Sequence, residues 1–172
     1  KYPSSLTISG VSGPIDEVRA YITFSHSSPV DLDVVLQAPD GRAIILFSDV
    51  GGTVPLTYEW TFTDRVGSPV PATPTSFPVF RPTDLAPGDA LPRPAPQPPY
   101  GTAFSHFDGG EPNGTWRLWV YDDNGAAASG TVLAWAVWVN GQPYCSADFD
   151  KSGTATLQDL FDYLDAYFDG CP

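Results

Sequence analysis

The sequence predicts a mainly β protein: a jelly-roll β-sandwich followed by a short C-terminal segment that ends in one α-helix. Three observations predict it. Apolar and polar residues alternate with a period of two in segment after segment, as on strands with one buried face. Turns containing glycine or proline separate those segments. Apolar residues at helical spacing occur only near the end, from Leu157 to Phe168.

The strands follow in order. After a short N-terminal piece, Leu6–Ser9, the stretch Val18–His26 puts Val18, Ala20, Ile22 and Phe24 on one face and Arg19, Tyr21 and Thr23 on the other. Asp31–Ala38 repeats the pattern through Leu32, Val34 and Leu36. Pro39-Asp40-Gly41 turns the chain, and Ala43–Phe47 returns beside it. Thr57–Thr63 alternates through Tyr58, Trp60 and Phe62. Gly110–Asn140 reads as a hairpin at the centre of the sandwich, its arms Trp116–Tyr121 and Thr131–Val139 joined by DDNGAAASG. In the second arm Leu133, Trp135, Val137 and Val139 share one face. Ala134, Ala136 and Trp138 share the other, and both faces are apolar enough for burial on each side.

Residues 64–115 hold most of the prolines, in runs such as Pro92-Arg93-Pro94-Ala95-Pro96. Proline removes a ladder donor, so central strands are excluded there. Phe77, Phe80, Tyr100, Phe104 and Phe107 nevertheless call for burial. The segment reads as a long ordered loop wrapping the sandwich, with a linker between domains as the alternative. The domain reading is therefore 1–142 for the sandwich and 143–172 for the C-terminal segment.

A net charge of −12, from 8 basic and 20 acidic residues, argues against nucleic acid and against anionic membrane surfaces. No run reaches the ~20 apolar residues of a membrane span. Clustered carboxylates favour divalent cations instead. The chain contains no methionine and begins at Lys1, which reads as a processed chain that has lost a secretory signal. Cys145 and Cys171 then read as a disulfide in a secreted or cell-surface protein. Two unpaired buried thiols are the alternative. Asn113-Gly-Thr has the form of a glycosylation sequon, but its setting reads as turn chemistry.

After Asn140 the character changes. Residues Asp148–Asp159, DFDKSGTATLQD, match a twelve-residue calcium loop. Asp148, Asp150 and Ser152 stand at positions 1, 3 and 5. Gly153 takes the sharp turn at position 6, Thr154 offers its carbonyl, Thr156 a hydroxyl, and Asp159 the final carboxylate. Calcium takes six to eight hard oxygens, which this spacing converges on one point. Zinc is disfavoured for lack of His or thiolate in the loop. With Ser at position 5 and Asp at position 12, the expected affinity is roughly 10⁻⁴ to 10⁻³ M. A capping box, Thr156-x-x-Asp159, reads the same helix start and is compatible with the metal. In the helix itself Leu157, Leu160, Phe161, Leu164 and Phe168 form one apolar stripe.

The segment ADFDKSGTATLQDLFDYLDAYFDGCP resembles one repeat of a dockerin, a family that carries two. A second resemblance covers roughly residues 4–140. His26-Ser-Ser-Pro-Val-Asp31-Leu32-Asp33-Val34-Val35-Leu36, followed by Pro39-Asp40-Gly41, resembles the early part of the P domain of subtilisin-like proprotein convertases. Gly110-Glu111-Pro112, Asn113-Gly114-Thr115-Trp116, Val120-Tyr121-Asp122 and Ser129-Gly130-Thr131 through Trp135 resemble its late part. The resemblance implies a non-catalytic jelly roll that accompanies proteases and surface proteins, often with bound calcium. It also implies Asp31, Asp64 and Asp122 as candidates for a second cation site, with metal-free turn carboxylates as the alternative for each.

No nucleophile motif accompanies the two histidines, His26 and His106, so no enzyme is expected. The expected function is that of a secreted, non-catalytic calcium-binding module for extracellular binding or adhesion to a protein or glycan. The alternative is a structural subunit that self-assembles through calcium-dependent contacts into a homopolymeric filament, tube or surface layer.

Overall fold

The computed structural model describes residues 3–73, 78–85, 87–124 and 129–140. The chain divides into two compact units, Lys1–Asn140 and Gly141–Pro172. The 148–159 loop, the amphipathic helix and the Cys145–Cys171 pair all lie outside the described residues.

The alternating segments form strands, and the strands make a two-sheet sandwich. They are β1 (Ser4–Ile8), β2 (Val18–His26), β3 (Leu32–Gln37), β4 (Ala43–Ser48), β5 (Leu56–Phe62), β6 (Val79–Phe80), β7 (Thr83–Asp84), β8 (Gly114–Asp122) and β9 (Gly130–Val139). One sheet runs β1-β8-β3-β4-β7 and the other β6-β5-β2-β9. Pairings are antiparallel except β4 with β7 and β5 with β6. Along β2 every second residue from Val18 to His26 is buried, as its alternation predicts. Pro39-Asp40-Gly41 makes the β3–β4 hairpin, with Gln37 opposite Ala43.

The core between the sheets is aromatic. The Trp60 ring meets Phe24, Phe47 and Tyr58 edge-on, each with ring centroids 5.1 Å apart. Such contacts add ~0.5–1.5 kcal/mol each beyond the area they bury. Phe47 and Leu46 both reach this core because β4 bulges against β3 between Val34 and Val35.

Two expectations for 110–140 are corrected. The two arms are not a hairpin: β8 lies between β1 and β3 in one sheet, while β9 lies beside β2 in the other. A glycine-containing connector reverses the chain equally well between sheets as within one, so its composition could not distinguish them. Nor is β9 buried on both faces. It is an edge strand with Leu133 58% and Trp138 44% exposed. A bulge against β2 explains Leu133: Thr23 pairs with Ala134 and Phe24 with Val132, leaving Leu133 as the extra residue. Val132, Trp135 and Val137 pack on the core instead.

The proline-rich segment lays a second apolar layer on the outer face of the five-stranded sheet. Leu91 and Ala95 pack on Val35, Ala43, Ile45 and Trp119, with Tyr100 and Tyr121 alongside. Backbone bonds fasten it, Ile45 N to Gly101 O at 3.0 Å and Gly101 N to Ala43 O at 2.9 Å. Asp64 holds its far end, accepting the Phe104 and Ser105 N–H groups at 2.9 and 2.8 Å. β3 is thus covered on both faces, and Leu32–Leu36 are all buried. Among the described residues, no helix is long and apolar enough to cross a membrane.

Candidate metal centre

Asp33 is the polar exception inside β3. Alternation places it on the outer face with Val35, beneath the wrapping segment, and it is only 5% exposed. Its strand partner is Ser48, the last residue of β4. Asp49 follows at φ 58°, in the left-handed region that Asp tolerates better than most residues. There the chain leaves β4 for the other sheet. Gly51 and Gly52 complete that crossing at φ 90° and 63°, with the Gly52 carbonyl accepting the Val30 N–H at 3.1 Å. A Cβ on Gly52 would lie 2.3 Å from the Ala72 carbonyl oxygen, so glycine is required. Asp89 comes from the wrapping segment, two residues before the buried Leu91.

Asp33, Asp49 and Asp89 each bring a carboxylate oxygen within 4.8 Å of the others. Two oxygens ligating one calcium ion at about 2.4 Å can be no more than about 4.8 Å apart, so the trio matches the span of one coordination shell. The Ser48 hydroxyl donates to Asp33 Oδ1 at 2.6 Å and lies 3.1 Å from Asp49 Oδ2. Burial raises the Asp33 carboxyl to about 6, opposed by the Ser48 hydrogen bond and reinforced by the charges of Asp89, Asp123 and Asp49. Asp123 is also held above its ordinary value, by desolvation and then by Asp49, Asp31, Asp89 and Asp122. Carboxylates that repel one another in this way are the groups whose ionised form a cation stabilises. All the donors are hard oxygens, which suits calcium or magnesium better than zinc.

Of the residues implied by resemblance, Asp31 and Asp122 act on Asp123, whose carboxyl their charges help to raise, and Asp64 is held elsewhere. Asp31 ends a 3-10 turn at Pro29–Asp31, and its side chain accepts the Asn124 amide at 3.2 Å. Asp122 ends β8 and accepts the Asn124 N–H at 3.2 Å. Its other oxygen faces His26 Nε2 at 3.3 Å. The His26 Nδ1 accepts the Ser28 N–H at 3.1 Å, which puts the ring proton on Nε2 and directs it to Asp122. Both ring nitrogens are therefore engaged. Asp64 is occupied by the backbone of 104–105. The residues Asp148, Asp150, Ser152, Thr154, Thr156 and Asp159 lie outside the described residues.

Asp33, Asp49 and Asp89 are far apart in sequence, and spacing does not join them. One signal was present: a carboxylate at position 33, on a strand whose neighbours on both faces are apolar.

No protein-family model matches the chain, and no curated protein sequence matches it. Among solved structures, a serine protease of Aeromonas sobria matches over 80% of this chain and 22% of its own, with 14% identity and a TM-score of 0.41. A structure of the complex between the Aeromonas sobria serine protease and the chaperone ORF2 matches over the same shares, with 16% identity and a TM-score of 0.41. The chain thus spans 22% of the length of either. At that identity and TM-score the likeness carries no argument about activity.

Proposed function

We propose that this chain is a secreted, non-catalytic calcium-binding module, a P-domain-like sandwich whose loops bind a protein or glycan outside the cell. The observation that carries the reading is the convergence of Asp33, Asp49 and Asp89 within 4.8 Å. Calcium there ties β3, the end of β4 and the wrapping segment to one another, because each supplies one carboxylate. The loop Asp148–Asp159 supplies a second calcium site in the C-terminal segment, and a Cys145–Cys171 disulfide closes that segment. The engagement of both His26 nitrogens supports a non-catalytic reading, since neither is free to take a proton from a nucleophile.

Thermal unfolding of the full chain in chelator and in millimolar calcium tests the proposal. A ligand that binds only the folded state raises the midpoint by mass action. The expected result is a rise of several degrees in the unfolding of the sandwich, read by tryptophan fluorescence. The same midpoint in chelator and in calcium refutes the reading.

A further inference from the structure

The four sheet edges are unequal. β6 and β7 are two residues long and β1 is five, whereas β9 runs for ten residues. Short strands are one way natural proteins blunt an edge; charges and prolines are others. β9 is long, and residues 131–139, TVLAWAVWV, contain no ionisable side chain and no proline; the one such device it carries is the bulge at Leu133. Among the described residues, β2 is the strand that pairs with it, and its opposite edge carries no ladder. The exposed face beside that edge presents Leu133, Ala134 and Trp138. On the flank, Trp135 Nε1 donates to Ser4 Oγ at 2.8 Å, holding β9 against the start of β1.

We infer that the free edge of β9 is a self-association surface, pairing antiparallel with β9 of a second copy of this chain to join two four-stranded sheets into one. Charge selects this occupant. At −12, two copies repel wherever carboxylates face each other, and the uncharged strip 131–139 lets them approach without that cost. Antiparallel pairing of a strand with itself is isologous, so the same edge serves both copies and no second complementary surface is needed. The ladder supplies backbone hydrogen bonds and the outer side chains supply apolar burial, as in strand addition generally. This surface goes beyond the calcium reading, and it is tested in chelator so that the two stand or fall separately.

The test is sedimentation velocity of the full chain in chelator across a wide concentration range. It compares the parent with Leu133→Lys/Trp138→Lys and with a control, Leu85→Lys. Leu85 is 60% exposed and lies off this edge. The expected parent result is a reversible monomer–dimer equilibrium. The double variant weakens it by about tenfold or more, because lysines from both copies meet on one face of the paired ladder. Leu85→Lys leaves it unchanged or slightly strengthened. The double variant lowers the net negative charge, so charge alone predicts stronger association, the opposite sign. Circular dichroism checks that each variant is folded. Amide exchange supplies a second readout: the outward amides of β9 gain protection as concentration rises. A parent that stays monomeric throughout overturns the inference. So does association that the edge lysines leave intact. Protection of β9 that is already complete in the dilute monomer also overturns it, since the edge is then covered within one chain.

Discussion

Ser48 donates its hydroxyl to Asp33 at 2.6 Å while standing 3.1 Å from Asp49. One hydroxyl proton serves two carboxylates, and Ser48 is fully buried. With both carboxylates ionised, only one of them receives that proton. Asp49 is half-buried, so solvent or a cation can meet its carboxylate.

Ser48→Ala removes the donor that lowers the Asp33 carboxyl. Leaving a buried acceptor unpaired costs about 1–3 kcal/mol. The Asp33 titration, followed by NMR of its carboxyl carbon in chelator, is expected to move above its present value of about 6. No movement means that the hydroxyl does not set the charge state of the site.

Asp33 also makes stability depend on pH. Its carboxyl is at about 6 when folded against 3.8 ordinarily, so the folded state holds the proton more tightly. Its stabilising contribution is full below the ordinary value and is lost as pH rises through about 6. In chelator, lowering pH from 7 to 5 is expected to raise the unfolding midpoint more in the parent than in Asp33→Asn. Calcium holds the carboxylate ionised and removes that difference. Calcium affinity is expected to fall as pH drops below 6.

How much of this was legible in the sequence depends on what decides each feature. The longer strands were legible, because Val18–His26 needs only its own alternation to place its core face; the two-residue β6 and β7, inside the segment read as a loop, were not. The separation of β8 and β9 into two sheets was not, because partners elsewhere in the chain decide it. Leu133 was misplaced for the same reason: a bulge is a property of pairing with β2, invisible along β9 alone. The acidic cluster was not legible: the motif resemblance implied Asp31, Asp64 and Asp122, and none of these is one of its three carboxylates. Asp49 and Asp89 meet Asp33 only through the β4 exit and the wrapping segment.

Phe47 ties the two sheets together, stacked 5.7 Å from Phe62 and edge-on to Trp60 at 5.1 Å. Phe47→Ala is expected to cost about 3–5 kcal/mol by removing that contact and leaving a cavity. Chemical denaturation of the described unit reads this directly. A loss below about 1 kcal/mol would show that the aromatic cluster repacks around the gap.

Asn113 is a clamp. Its side-chain oxygen accepts the Val11 N–H at 2.9 Å, and its amide donates to the Val11 carbonyl at 2.8 Å and to Glu111 at 2.9 Å. Asn113→Ala is expected to cost about 1–2 kcal/mol. A glycan on this nitrogen would occupy the same donor, which agrees with reading the sequon as turn chemistry. A neutral Asn113→Ala in denaturant melts contradicts the clamp.

Calcium in the sandwich itself, held by Asp33, Asp49 and Asp89, is the proposal most directly open to measurement. Isothermal titration of calcium into Asp148→Asn/Asp150→Asn silences the C-terminal loop, and adding Asp33→Asn/Asp49→Asn then removes the sandwich carboxylates. A binding heat is expected in the first variant and is absent from the second. The same heat in both, or none in the first, contradicts the proposal.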